Sequence, residues 1–497
     1  MEKHINDISN SLGSFYTYYH EGQEEKLFYK NLEKLLDEDV SEHNIDELSV
    51  LQVLNRYFMF GDRTIIQGIY ISPWMGKYDE VKSSWSFYDI PEHGLKSDMS
   101  ETEIADQLFN LLCDEVRLYV KDYKNVGILL SGGMDSRIVA GVVHYLMDKG
   151  EISVDSVTAY TWGVDDCRDV VYSKRIADLY GWKWNHFHVE ADNLWENFKI
   201  AGERGCEYTG LHLHAIPQIS RNIKSEVNVM LAGSYGDSVG RAEYSGKHVT
   251  ELGPVHHKMR NPSWLLKSAV YDQVKDQWKE DIEKYHTLFP KDQPYQQHEL
   301  DYQIHYMRRM LNPCMELINE KVDMHQVFTH PKVFGFMWML NPKLRNDNIY
   351  RFLLERHNPE LLTIPWARTG LKYTKGEGEP DRFKKKHHEY SKYMHENLID
   401  RIEARLLSHR SIQNGIINQQ TVKEIITLIK KKKKYNFDYL ERISWLVSYT
   451  YLSDKFDIAH QTNLKQTFSD ELNAKLKTPF EYYVRHGYRK LRKEMFS

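Results

Sequence analysis

The sequence predicts a doubly wound α/β fold with a parallel sheet, preceded by a shortened α+β region and followed by a mainly helical part. Three observations carry that expectation. Between 126 and 231, short apolar or β-branched runs alternate with helical patterns. Two of these runs, 126–130 and 227–231, pass directly into loops rich in Gly and Ser. From about 255 onward there are few strand signals, and the chain is rich in Trp, Tyr, Lys and His.

In the first region, 13–19 has strand character, with 26–29 as its hairpin partner across a polar turn. Helical spacing marks 32–36 and 45–57, and 64–73 reads as strand, turn and strand. A long helix covers 101–121, with Ile104, Leu108, Leu111, Leu112, Val116 and Val120 on one stripe. The alternation then runs strand 126–130, helix 138–147, strand 154–162, helix 170–180 and strand 184–189. The expected divisions are 1–95, 96–380 and 381–497.

Composition narrows the function classes. Lys and Arg number 66 against 71 Asp and Glu, a net charge of −5 that gives nucleic-acid binding no support. No run of about eighteen uncharged apolar residues is present, so no membrane span or membrane partner is expected. The polar start Met1-Glu2-Lys3-His4 lacks the apolar core of a secretory signal. Cys113, Cys167, Cys206 and Cys314 are scattered without CxxC spacing, which fits a reduced, cytoplasmic protein. The basic runs 384–388 and 430–434 lack interleaved aromatics and read as solvated faces or loops. His212 and His214 have no third partner in view and read as structural.

The informative stretch is Leu130-Ser131-Gly132-Gly133-Met134-Asp135-Ser136-Arg137. A strand, a tight loop and a helix N-terminus in succession form a phosphate-binding arrangement. Two glycines let the backbone approach a ligand, and the first-turn N–H groups have no partner within the helix. The helix dipole adds partial positive charge. Ser131 and Ser136 offer hydroxyls, and Asp135 can orient the loop or help hold a Mg²⁺ carried by phosphates. The Gly-Lys-Ser/Thr ending of a Walker loop is absent.

Residues Ser131 to Ser136 resemble the Ser-Gly-Gly-x-Asp-Ser loop of the N-type ATP pyrophosphatases, which split ATP into AMP and pyrophosphate. Trp162-Gly163 closes a strand, Asp169 opens a helix, and Gly233 to Asp237 follows a further strand. That order is similar to the synthetase domain of class B asparagine synthetases, over roughly 100–375. The resemblance implies ATP and Mg²⁺. Leu130, Trp162 and Gly163 would surround the adenosine, and Ser131, Gly132, Gly133, Asp135 and Ser136 would hold pyrophosphate and metal. Gly233 would approach ribose or adenine, and Asp237 would be the second carboxylate beside metal or phosphate. Arg368 and Lys372 fall where the family places a cation facing the transferred phosphoryl group. Asp135, Asp237, Arg368 and Lys372 are thus the catalytic candidates.

Departures from the family pattern shape the expected activity. The family's second loop carries an acidic residue directly after its first Gly and ends in Asp-Glu. Ser234-Tyr235 and Asp237-Ser238 stand there in this chain. Full asparagine synthetases begin with a glutaminase domain whose nucleophile is an N-terminal cysteine. Glu2 follows Met1 here, and the first cysteine is Cys113, so 13–79 resembles the shortened tail of such a domain without its thiolate. The expectation is an ATP-dependent amide-forming ligase that adenylates a small-molecule or peptide carboxylate. It would then couple that group to an amine or to ammonia, free or released by a separate glutaminase. The alternatives are a cyclase resembling β-lactam synthetases or lasso-peptide cyclases, and a non-catalytic nucleotide-binding module.

Overall fold

The computed structural model describes residues 12, 14–22, 26–39, 42–90, 92–255, 259–373, 376–431, 437–458 and 465–484. In the N-terminal region, strand β1 (Tyr18–His20) pairs antiparallel with β2 (Ile69–Ile71), while β3 (Gly76–Asp79) and β4 (Ser84–Phe87) form a hairpin. Tyr18 and Tyr29 exchange backbone hydrogen bonds of 2.8 and 2.9 Å, so the expected pairing of 26–29 is a single bridge. Gly13, at the start of that expected strand, lies outside the described residues. Helices Leu32–Glu38 and Glu47–Arg56 begin where Asn31 and Asp46 accept hydrogen bonds from the Lys34 and Ser49 N–H groups. Of the two strands expected at 64–73, only β2 forms. Thr64 Oγ1 instead bonds the Ile66 and Ile69 carbonyls at 3.1 and 2.9 Å, and Ile66 only bridges Ile45.

The central sheet is built from β5 (Asn125–Leu129), β6 (Ser156–Trp162), β7 (Lys183–Phe187), β8 (Val229–Ala232) and, beyond a short hairpin of β9 (Glu243–Tyr244) and β10 (Lys247–His248), β11 (Asp323–Gln326). All five strands are parallel, in the order β11-β8-β5-β6-β7. The alternation of side chains along a strand divides them between two cores. Val126, Ile128, Val157, Ala159, Val229 and Leu231 enter the core that holds helices Glu101–Val120 and Met134–Asp148. Leu129, Tyr160, Met230 and Ala232 enter the opposite one, with Ile216, Ile219 and Ile318. Burial on both faces explains why the strands read as near-continuous apolar runs. The edge strand β11, Asp-Met-His-Gln, carries no such signal and was not anticipated.

The N-terminal and C-terminal segments share a further core. Leu51, Ile66, Phe198, Ile443 and Leu446 belong to it together. The C-terminal helix Phe437–Phe456 is buried around most of its circumference and packs on helix Ala191–Glu203. Contact there is close enough that a Cβ on Gly202 would run into the Ser448 carbonyl. A largely buried polar seam ties the N-terminal region to Glu207 and to 284–309. Asp62 meets Lys284 at 2.8 Å and Arg308 at 2.9 Å, and Glu207 accepts from Tyr16, Tyr18 and Arg309 at 3.0, 2.6 and 3.0 Å. Among the described residues no helix is long and apolar enough to cross a membrane.

Beneath the second Gly/Ser loop lies a fully buried ion pair. Arg345 reaches the Glu299 oxygens at 2.5 and 3.1 Å and also donates to the Ser238 and Val239 carbonyls, at 2.7 and 3.2 Å. His93 Nε2 meets the same carboxylate at 2.9 Å. Burial opposes ionisation of Glu299, but Arg345 and His93 outweigh it and hold the carboxyl down at about 2. Its stabilising contribution is therefore present above the ordinary glutamate range and is lost as the pH falls through that range toward 2. Urea midpoints measured from pH 6 down to 2.5 should fall more steeply for the wild type than for Glu299→Gln.

Candidate active site

The two Gly/Ser loops meet at the carboxyl edge of β5, β6 and β8, where open α/β sheets bind ligands. Between them is a cleft of ≈ 260 Å³, whose lining includes Leu130, Ser131, Gly133, Asp135, Trp162 and Gly233. Gly133 is the N-cap of helix Met134–Asp148 and supplies no side-chain cap, so the first-turn N–H groups are free of intrahelical partners at the cleft. The loop is braced by its own hydroxyls. Ser136 Oγ accepts from the Ser131 N–H and lies 3.1 Å from Ser131 Oγ, which in turn accepts from the Gly133 N–H at 3.1 Å. Asp169 opens the helix after β6 and accepts from the Gly132 N–H at 3.2 Å.

Arg137 fixes this loop from behind. Its side chain is fully buried and donates to the carbonyls of Leu361, Ile364, Pro365 and Gly132 at 3.1, 2.7, 2.7 and 3.3 Å. The Ala367 N–H returns a bond to the Gly132 carbonyl at 3.1 Å. Burial pulls the guanidinium down to about 10, and carbonyl dipoles take the place of a carboxylate partner. The second loop packs directly on the first. A Cβ on Gly233 would lie 2.5 Å from Ser136 N, and one on Gly236 would lie 2.5 Å from Asp135 Cβ. Gly233 is thus required by loop-on-loop packing as well as by its place in the cleft wall. Tyr235 (φ 70) turns inward, where Asn312 Nδ2 donates to its hydroxyl, and leaves Ser234 in the lining.

Gly163, Asp237, Arg368 and Lys372 are not among the lining residues. Gly163 (φ 143) closes β6, and its neighbour Val164 donates its N–H to the His387 carbonyl at 3.0 Å. Asp135 and Asp237 both meet the buried Arg241, Asp135 at 3.8 Å. Arg241 also reaches Asp347 at 3.0 Å and Glu243 at 3.2 Å. Arg368 is held by both Glu243 oxygens, at 2.7 and 2.8 Å, and Lys372 lies 3.5 Å from Glu377. Neither cation is among the lining residues. Burial raises the Asp135 carboxyl to about 6 against the pull of Arg241. Asp135 Oδ1 accepts no hydrogen bond, which suits an oxygen ligand of a hard cation. No group of three metal-ligating side chains occurs among the described residues.

Three contributors to the site had no signal in the sequence. Arg137 reaches Leu361, Ile364 and Pro365, and Arg241 reaches Asp135 and Asp347, partners more than a hundred residues away, beside nearer ones. The third is His387, from a basic run expected to be solvated. Its segment docks along 164–168 through the Arg168 N–H to Lys384 O and Lys384 N–H to Asp166 O bonds, both 2.9 Å, and His387 lines the cleft. Lys384 itself is exposed and pairs with Asp166, while 432–434 of the other basic run lie outside the described residues. His214 is half-buried, its Nδ1 2.8 Å from the Tyr390 hydroxyl, and His212 meets Glu441 at 2.9 Å.

Residues 107–349, which span both loops, match the family model of asparagine synthase. The chain carries an asparagine synthase family domain. It is similar to "Asparagine synthetase [glutamine-hydrolyzing] 2" of Bacillus subtilis (strain 168), 27% identical over 196 residues, 37% of this chain and 24% of the relative. It is also similar to "Putative asparagine synthetase [glutamine-hydrolyzing] 2" of Methanocaldococcus jannaschii, 24% identical over 158 residues, 31% of this chain and 29% of the relative. The matches thus cover about a quarter of the length of these curated relatives. The matched span includes both loops and Arg137. Arg137→Met, which removes the donor that four carbonyls share, should reduce any activity that depends on the first loop by about 100-fold through misplacement of the loop. Circular dichroism should show the fold retained, and Arg137→Lys should recover part of the loss.

Proposed function

We propose that the protein is an AMP-forming, ATP-dependent carbon–nitrogen ligase of the N-type ATP pyrophosphatase class, working on a carboxylate other than aspartate. The observation that carries this reading is the Ser131 to Ser136 loop, held at the carboxyl edge of a parallel sheet with its helix N-terminus open to the cleft. In this reading the N–H groups and hydroxyls of the loop hold the pyrophosphate portion of ATP. Leu130, Trp162 and His387 form the wall on which the adenosine rests. Asp135, with Asp237 close by, would hold a Mg²⁺ that offsets charge developing on the phosphates. Arg368 and Lys372 stand on the adjoining 364–372 segment, and Arg368 becomes available to phosphate if Glu243 releases it.

The chemistry proposed is attack of a substrate carboxylate on the α-phosphorus, release of pyrophosphate, and displacement of AMP by an amine or ammonia. Ser234 offers a hydroxyl where the related loop carries an acid, which argues for an acyl or amine partner other than that of asparagine synthesis. None of the four cysteines fits the role of a glutaminase nucleophile. All are buried, and burial lifts Cys113, Cys167 and Cys314 to about 12, 11 and 12 and Cys206 well above the usual range. Ammonia, free or released by a separate enzyme, or an amine within the substrate, is the proposed donor. A cytoplasmic setting for an enzyme with free thiols is part of the same proposal.

Pyrophosphate release from Mg-ATP, followed across a panel of amino acids, dipeptides and other carboxylates, tests the reading. Release should depend on one class of carboxylate and fall by about 100-fold or more in Asp135→Ala. ATP binding without release for any carboxylate would favour a nucleotide-binding module. Absence of ATP binding would remove the basis of the proposal.

A further inference from the structure

Arg241 occupies the point at which the expected metal carboxylates converge. Its side chain is 3% exposed, and its two terminal nitrogens face four carboxylates from three separate segments. Nη1 lies 3.0 Å from Asp347 and 3.2 Å from Glu243, while Nη2 contacts Asp237 and lies 3.8 Å from Asp135. The guanidinium carbon sits 5.4 Å from the ring centres of both Tyr350 and Trp366. Arg368 is committed to both oxygens of Glu243, and among the described residues Arg241 is the cation that meets Asp135 and Asp237.

We propose that Arg241 is a resident counter-cation that excludes free divalent metal from the cleft, so that metal enters only together with the phosphates of a nucleotide. The proposal rests on the nucleotide-binding reading above and adds an order of binding to it. A metal bound to Asp135 and Asp237 in the empty cleft would sit against a guanidinium that cannot withdraw without leaving two aromatic rings and two further carboxylates. The repulsion is strong at such separations in a partly buried site. A triphosphate brings enough negative charge to accommodate both cations at once. The exchange is purely ionic: no bond to carbon or phosphorus is made, and no proton need move.

Paramagnetic Mn²⁺ titrated into the full chain without nucleotide, followed by electron paramagnetic resonance, tests this directly. The wild type should leave Mn²⁺ as the free aqueous ion. Arg241→Gln should bind it about tenfold or more tightly than the wild type, Arg241→Lys should behave like the wild type, and Asp135→Asn added to Arg241→Gln should abolish the gain. A folded Arg241→Gln that gains no affinity would overturn the proposal. So would a wild type that binds Mn²⁺ without nucleotide at a site lost in Asp135→Asn, a comparison that decides the matter even if Arg241→Gln fails to fold. Adding ATP to the wild type should draw Mn²⁺ into the bound state. If ATP itself does not bind, the nucleotide reading fails, while the nucleotide-free comparison still judges Arg241.

Discussion

One buried guanidinium holds the catalytic edge of this molecule together. Arg137 points out of the first helix turns into the interior and draws in the carbonyls of Leu361, Ile364, Pro365 and Gly132. A buried charge without a carboxylate is costly unless its donors are satisfied by well-placed dipoles. Here the cost is offset by ordering two segments more than two hundred residues apart in sequence. The phosphate-type loop cannot relax without releasing 361–367, and that segment cannot move without exposing Arg137. The segment is the same one that delivers Trp366 and Arg368 to the carboxylates beside the cleft.

The second constraint is steric. Gly233 and Gly236 bring the loop after β8 into backbone contact with the first turn after β5, so the two loops behave as one rigid floor. The parallel sheet makes this possible, because adjacent strands β5, β6 and β8 all end on the same edge. The Arg345–Glu299 pair then supports the second loop from beneath through the Ser238 and Val239 carbonyls. Charge at the floor is partly offset internally. Asp135, Asp237, Glu243 and Asp347 are met by Arg241, and Glu243 also by Arg368, so two guanidiniums face four carboxylates.

What could be read from the sequence was whatever is encoded by local pattern. The strands at 125–129, 156–162 and 229–232 carry apolar or β-branched runs, 183–187 is marked mainly by its place in the alternation, and the helices between them carry the 3.6-residue period. The first loop was legible because its Gly, Ser and Asp residues are contiguous. Strand β11 was not, since four polar-leaning residues at a sheet edge show neither period nor apolar run. The roles of Arg137 and His387, and that of Arg241 toward Asp135 and Asp347, depend on partners distant in the chain, and no local pattern marks an arginine as buried or a histidine as cleft-lining. Gly233 was expected at the nucleotide, yet its Cβ direction faces Asp135 and Ser136, a fact that only the three-dimensional packing reveals.

The most direct test of the account is a crystal structure with Mg²⁺ and an ATP analogue whose α,β-bridge resists cleavage. The account predicts the β- and γ-phosphates over the Gly133 to Ser136 N–H groups, the base between Leu130, Trp162 and His387, and the metal on Asp135 with Arg241 still seated on Asp347. A nucleotide bound elsewhere, or an occupied cleft whose phosphates avoid the first helix turn, would contradict it.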